Sequence, residues 1–177
     1  GIKKSDNNFI LSIYLEKSIY KEKNNYMLSL SLIDYSTGTT KIFQNQFLNS
    51  NIQVVYENMY RHLESYNPSE ILFYYVSLND FEERFIKSNL DNDSRLLHIY
   101  NKEPNKEFFK ASYQNDFLNK IYKIESMLNP IEYLHLEYYQ YAIVSLILLI
   151  NFTENHNNNI IKNLNYPEII NENNNLI

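Results

Sequence analysis

The 177-residue sequence predicts an α/β fold: a mixed β-sheet built in the chain order βββαβαβ, flanked by helices and followed by a long C-terminal helix. Three features predict it. Apolar residues alternate with other residues over positions 26–34, which is the period of a β-strand. From residue 52 the apolar residues recur at helical spacing. Residues 71–76 are then continuously apolar, which is typical of a parallel strand covered on both faces.

The first three strands are predicted at residues 9–15, 26–34 and 39–47, and their short links indicate an antiparallel meander. The alternation in the second strand is that of a half-buried strand. The polar stretch 16–25 is interpreted as the first link. Gly38 is one of only two glycines. We expect it to take a positive φ at the second reversal, where the Asp, Ser and Thr before it can hydrogen-bond the turn backbone.

The middle of the chain alternates between helices and strands. Ser50, with Gln53 three residues later, fits a capping box at the start of a helix, and Pro68 ends that helix. A strand at 71–76, a short helix within 77–90 and a strand at 95–101 follow. The pattern therefore predicts a meander continued by two helix–strand units.

Two helical stretches complete the prediction. Residues 108–126 are polar with apolar residues at helical spacing. Asn129 can cap a second helix, for which Pro130 suits the first position, and this helix is expected to run to about Asn155. The Asn-rich tail looks like a connection to further sequence, so we expect the chain to be a fragment of a longer protein.

Composition excludes several classes of site. There is no cysteine, so disulfides, thiol nucleophiles and cysteine-ligated metals are ruled out. The net charge is −5, and no dense Lys/Arg cluster predicts nucleic-acid binding by this chain alone. The longest uncharged apolar run, 141–150, is too short to span a membrane, so no membrane partner is expected.

The element order is that of the ribonuclease-H-like fold. Two short motifs lie within it, a D-x-(S/T)-T-G turn and, after a helix, a P-x-E-I-L strand, and the matching positions are Asp34, Ser36, Thr37, Gly38, Pro68, Glu70, Ile71 and Leu72. These motifs resemble the connector domain, domain II, of the MutS family of DNA mismatch-repair proteins. The resemblance covers roughly residues 9–177 and is greatest to the subfamily of giant viruses and octocoral mitochondria.

The resemblance implies a connector domain at 1–128, with a long helix and linker at 129–177 leading toward a core or lever domain. It implies a non-catalytic relay between mismatch-binding and ATPase domains, with a possible surface for a MutL-like partner. No phosphate-binding loop occurs in the sequence, so ATP and Mg²⁺ are expected in the parent protein and no cofactor in this fragment. DNA is likewise expected to be bound by the parent. The parent of such a fragment is expected to be a DNA-dependent ATPase, with an HNH nuclease in this subfamily. An intracellular location follows from the resemblance, at a viral replication site in the host cytoplasm or in a mitochondrion.

A metal-dependent nuclease or resolvase is the alternative that the fold allows. That chemistry needs carboxylates that converge on two cations. The candidates are Glu16, Glu57 and Asp80, but no acid lies inside the first predicted strand. Asp80 also fits the first turn of a helix, and Glu57 fits a solvated helix face. No catalytic, cofactor-binding or metal-binding residue is therefore predicted. A stand-alone protein-interaction module is the third hypothesis.

Two aromatic motifs have competing interpretations. Residues 81–83, Phe-Glu-Glu, fit the Phe-x-Glu pattern of mismatch probing, but Phe81 lies one turn from Phe85 and is expected in the core. The tyrosine cluster 133–142 could stack on bases or dock another part of the parent protein, and docking is favoured because basic neighbours are absent. The four histidines lack the spacing of a helical metal site.

Overall fold

The computed structural model describes residues 8–156 and 161–171 and contains one six-stranded mixed sheet. The strand order is β5-β4-β1-β2-β3-β6. β1, β2 and β3 form the predicted antiparallel meander, and β4 and β5 run parallel to β1 on its other side. The strands are β1 Phe9–Tyr20, β2 Lys23–Asp34, β3 Thr40–Phe47, β4 Glu70–Val76, β5 Leu96–Tyr100 and β6 Glu168–Ile169. The predicted ribonuclease-H-like order is confirmed.

Helices cover both faces of this sheet and create two main cores. α1 and α2 pack on one face with Leu11, Ile13 and Leu15 of β1. α3 and α5 pack on the other face, against Ile10 of β1 and residues of β2, β3 and β4. The helices are α1 Ile52–Tyr66, α2 Asp80–Leu90, α3 Ala111–Tyr122, α4 Pro130–Tyr133 and α5 Gln140–His156, with 3₁₀ turns at Lys106–Phe109 and Ile161–Asn163. The central strands are therefore apolar on both sides.

The first hairpin is longer than predicted. β1 and β2 stay paired to Tyr20 and Lys23, so the predicted link at 16–25 is mostly strand. Only Lys21 and Glu22 turn the chain, with φ values of 49° and 63°. Two successive positive φ values match the right-handed twist of a two-residue hairpin, and this geometry lets polar residues continue the ladder.

The second hairpin agrees with the prediction. Gly38 has a φ of 81°. Its N–H donates to the Asp34 carbonyl at 2.8 Å, and the Asp34 carboxylate accepts from the Ser36 N–H at 2.9 Å. The glycine thus supplies the left-handed conformation that the turn requires.

The capping box predicted at Ser50 and Gln53 is wrong. Asn51 caps α1 instead, accepting from the Val54 N–H at 3.1 Å. A capping box is present on α2, where Asn79 and Glu82 bond each other's backbone N–H groups. Both caps obey the same preference for Asn, but the residue that reaches the helix end depends on where the preceding strand releases the chain.

The long C-terminal helix begins ten residues later than predicted. Asn129 does cap a turn that starts at Pro130, but this helix ends at Tyr133. His135 then takes a φ of 60°, and its neighbours Leu134 and Leu136 turn into the second core. Burying these two leucines outweighs the continuation of a single helix.

The predicted division between residues 128 and 129 stays a prediction, although α3 and α5, on either side of it, share the second core. Within the described residues, no helix has the length and hydrophobicity to cross a membrane. Parallel pairing of β6 with β3 brings part of the tail back to the sheet.

Candidate functional site

The three carboxylates of the nuclease hypothesis are not brought together. Glu16 lies on β1 at the alternation of Ile10 and Tyr14, on the face that α5 covers. Glu57 and Asp80 are exposed on α1 and α2, which cover the opposite face. The described part of the chain contains no group of three His, Cys, Asp or Glu side chains that could hold a metal ion.

A small pocket of about 180 Å³ does open beside Glu16 of β1, at the end of β4. It is lined by Tyr14, Glu16, Val76, Glu103, Pro104, Phe109 and Tyr141. Burial raises the pKa of Glu16, and the charge of the nearby Glu103 raises it further. A hydrogen bond with Tyr14 acts in the opposite direction but is outweighed. The Glu103 carboxylate was missed by sequence reasoning, since nothing in a loop sequence indicates that it approaches β1. Among the described residues no third metal-binding side chain joins this pair.

A buried ion pair ties α2 to the first hairpin. Glu82 accepts hydrogen bonds from Lys17 Nζ at 2.7 Å, from the Tyr26 hydroxyl and from the Asn79 N–H at 2.9 Å. Burial acts to raise the pKa of Glu82, but the bonds from Lys17 and Tyr26 outweigh it and hold that pKa below its usual value. The spacing Asn79 to Glu82 was the available sequence signal for this carboxylate.

The prediction that Phe81 is a core residue is wrong, because its side chain is 53% exposed. The inward stripe of α2 consists of Glu82, Ile86 and Leu90, so Phe81 falls to one side and stacks on Phe85 at 6.1 Å. The Phe-Glu-Glu tripeptide thus divides into an exposed ring and a buried carboxylate. The middle residue, Glu82, forms the ion pair with Lys17 of β1, whereas Glu83, the glutamate of the Phe-x-Glu pattern, lies 2.6 Å from Lys87 Nζ.

The histidines lie on separate elements. His62 is buried on α1, and His98 Nε2 on β5 lies 2.7 Å from Glu70 Oε2. His135 occupies the left-handed turn before α5, and His156 ends that helix. Each of the four histidines therefore lies on a different element or turn.

The N-terminus of α5 is clamped by a side chain from the sheet. Gln44 Oε1 on β3 accepts the N–H groups of Tyr141 at 2.9 Å and Ala142 at 3.0 Å. Gln44 Nε2 donates to the Tyr138 carbonyl at 3.2 Å. One glutamine therefore satisfies helix N–H groups that have no intrahelical partner and fixes the start of α5 to β3.

Small residues let the middle of α5 approach the sheet closely. Ser12, Ser29 and Ser31 are fully buried beneath the helix face that carries Ser145. The Ser31 hydroxyl donates to the Ser145 carbonyl at 2.8 Å. The prediction that β2 is buried on only one face is therefore wrong. The alternation alone would leave the serine face in solvent, but α5 covers it.

The described residues beyond α5, 161–171, which we call the return segment, are bonded to the second hairpin and to β3. The Asn165 N–H donates to the Gly38 carbonyl at 2.9 Å, and the Ile170 N–H donates to the Ile42 carbonyl at 2.8 Å. Lys41 Nζ lies 3.3 Å from Glu168 Oε2. The α5 anchor is the name we give to three attachments together: the clamp at Gln44, the serine contact and the bonds of this return segment.

The tyrosine cluster at 133–142 surrounds the start of α5. Tyr138 is 86% exposed, whereas Tyr141 enters the pocket beside Glu16. Tyr133 packs on Tyr166 of the return segment at 6.0 Å between ring centroids. Part of the cluster therefore belongs to the α5 anchor, and the exposed remainder is available for the docking interpretation.

Comparison with known proteins supports the resemblance seen in the motifs. No protein-family model matches the chain. A curated relative, a DNA mismatch-repair protein MutS homologue of Acanthamoeba polyphaga mimivirus, is 32% identical over 197 aligned residues that include 99% of this chain. The predicted resemblance to the MutS family is confirmed. The MutS-related chain spans only 18% of the length of that relative.

A weaker structural likeness involves the fowlpox virus resolvase, solved in complex with Holliday junction DNA. It is 16% identical to the MutS-related chain and has a TM-score of 0.42, covering 82% of this chain and 99% of the resolvase. A likeness of this size carries no inference about activity.

Proposed function

We propose that this chain is a non-catalytic connector domain of a MutS-like DNA mismatch-repair ATPase. It relays conformational change between a mismatch-binding domain and an ATPase core, which are other parts of the parent protein. ATP, Mg²⁺ and mismatched DNA are bound by the parent rather than by this segment. A giant-virus source and a viral replication site in host cytoplasm fit the mimivirus relative.

The α5 anchor is the observation that carries this proposal. A relay must move as one body, so that a displacement applied at one end reaches the other instead of being lost in a soft joint. Here Gln44 fixes the start of α5, Ser31 contacts its middle, and the segment that follows bonds to Gly38. Close-packed cores on both faces of the sheet add rigidity, because dense interiors transmit strain.

The arrangement of carboxylates supports the non-catalytic part of the proposal. The sheet separates Glu16 from Glu57 and Asp80, whereas two-metal chemistry needs acids that share cations ~3.5–4 Å apart. Glu82, the most buried acid of those described, is already bonded by Lys17 and Tyr26. Exposed aromatic residues such as Tyr138 offer contact area to other domains or to a MutL-like protein.

The non-catalytic assignment is tested with labelled homoduplex, mismatched and four-way-junction DNA, titrated with the chain at low salt with Mg²⁺ or Mn²⁺. Low salt favours any phosphate contact, so the conditions are generous to binding. We expect neither tight binding nor cleavage. Metal-dependent cleavage that disappears in Glu16→Gln would overturn the proposal and establish the nuclease hypothesis.

The relay is tested in the parent protein with Gln44→Ala, which removes the clamp on α5. We expect stimulation of ATP hydrolysis by mismatched DNA to fall, while hydrolysis without DNA stays unchanged. Gln46→Ala is the matched control, because Gln46 lies on the same strand but is exposed. If mismatched DNA stimulates hydrolysis equally with and without the Gln44→Ala substitution, the α5 anchor carries no coupling.

A further inference from the structure

β5 is one of the two edge strands of the sheet, and its outer edge has no backbone partner among the described residues. The Leu96 N–H donates to the Ser69 carbonyl at 3.0 Å, so alternate residues from Leu96 onward direct their backbone groups toward β4. Leu97 and Ile99 lie between them and direct their N–H and C=O groups outward. Such an edge is a template for another strand.

A helix wall runs beside this edge. Arg84, Lys87 and Ser88 on α2 and Asp91, the C-cap residue of that helix, follow one another at helical spacing. They line a groove together with Leu97 and Ile99. Lys87 Nζ is held by Glu83 Oε1 at 2.6 Å. Arg84 and Asp91 have no ion-pair partner in the described parts of the chain, and they stand at opposite ends of the stripe. The groove thus has one positive end and one negative end.

We propose that this surface, the edge of β5 with the α2 stripe, binds a second copy of the chain about a two-fold axis. The two β5 strands pair antiparallel with His98 opposite His98 of the second copy. Leu97 then faces Ile99 of the second copy, and each such pair exchanges two backbone hydrogen bonds. The six-stranded sheets join into one continuous sheet.

The same axis makes the helix stripes complementary. Two α2 helices related by it run antiparallel, which brings Arg84 opposite Asp91 of the second copy and Asp91 opposite Arg84 of the second copy. A two-fold interface is self-complementary in this way. The opposite signs at the two ends are what select a second copy as the occupant, since an unrelated strand would use the backbone edge alone.

The interface is small. One five-residue strand and one helix stripe bury less surface area than the ~1,600 Å² of a standard complex. The association is therefore weak, with a Kd in the micromolar range. This inference goes beyond the connector role and does not rest on it. A connector that stays monomeric would still relay motion.

Sedimentation equilibrium of the chain from about 1 to about 300 µM tests the proposal. We expect a monomer–dimer equilibrium that Arg84→Asp and Asp91→Arg each weaken about tenfold, because like charges then face each other. The double variant Arg84→Asp/Asp91→Arg restores the ion pairs and returns to within about threefold of the parent affinity. Lys120→Asp is the control and leaves the affinity unchanged, because Lys120 is exposed on α3, which covers the opposite face of the sheet from α2.

Amide hydrogen exchange locates the interface independently of the charges. Exchange at Leu97 and Ile99 slows as the protein concentration rises, whereas exchange at Leu96, already bonded to Ser69, is independent of concentration. A chain that is monomeric throughout the range overturns the proposal. The proposal is also overturned by a dimer whose affinity neither charge reversal changes, or by one whose concentration-dependent protection from exchange falls on other strands.

Discussion

Replacing Gly38 by alanine tests how the second hairpin and the segment after α5 depend on each other. Gly38 has a φ of 81°, and an L-residue in the left-handed region costs about 1–2 kcal/mol. An added Cβ would also lie 2.0 Å from the Asn163 carbonyl oxygen, which is far inside van der Waals contact with backbone. The clash is relieved only if the return segment moves away from the turn.

That movement breaks the bond from the Asn165 N–H to the Gly38 carbonyl, worth about 1 kcal/mol. We therefore expect Gly38→Ala to lower the free energy of unfolding by about 2–4 kcal/mol, measured by urea denaturation followed by circular dichroism. Faster amide exchange at Asn165 and Ile170 should accompany the loss.

Gly38→Asn separates the two causes, because asparagine tolerates the left-handed conformation but still carries the Cβ. If the contact with Asn163 dominates, asparagine destabilises nearly as much as alanine. A Gly38→Ala chain within about 0.5 kcal/mol of the parent would refute both the strain and the close approach.

Three further predictions concern the ion pair, the pocket and the α5 anchor. Glu82→Gln leaves Lys17 buried without its charge partner and should lower the free energy of unfolding by about 3 kcal/mol, measured by thermal unfolding. The pKa of Glu82 is lowered on folding, so the unsubstituted chain should exceed this variant in free energy of unfolding by the full amount above pH 4.5. This difference should vanish as the pH falls through the folded-state pKa of Glu82, and a difference independent of pH would contradict the reasoning. Burial and Glu103 raise the pKa of Glu16, so its ionisation costs stability, and Glu16→Gln should gain in melting temperature over the parent as the pH rises above 4.5. Gln44→Ala should lose about 1–2 kcal/mol in urea, as for other helix caps, whereas Gln46→Ala should lose almost nothing; equal losses would argue against the clamp.

The order of elements was predictable because it rests on local periodicity. The continuous apolar run at β4 and the single glycine at the second reversal each have one favourable interpretation, and both agree with the structure. Element ends were less predictable. The first hairpin continues through polar residues, and the cap of α1 falls on Asn51 rather than Ser50, because pairing and chain direction decide between residues of similar propensity.

The candidate site was less accessible to sequence reasoning. Glu16 was identified as an acid beyond the first predicted strand, but its neighbour Glu103 lies in a loop 87 positions later, and no spacing rule links the two. Glu82 was recognised only as part of a Phe-Glu-Glu tripeptide, while its bonds to Lys17 and Tyr26 cross from a helix to a distant hairpin. Contacts between remote positions have no local signature.

The sequence by itself determined the α/β class, the meander, the two helix–strand units and the MutS resemblance, since these depend on neighbouring residues and on short motifs. Only the tertiary structure decided where the last helix begins and what it covers. Burial of Leu134 and Leu136 breaks the predicted helix, and α5 then packs over serines that alternation alone assigned to solvent. A strand pattern reports which residues share a face, but whether that face meets water depends on an element more than 100 residues away, here through Ser31 and Ser145.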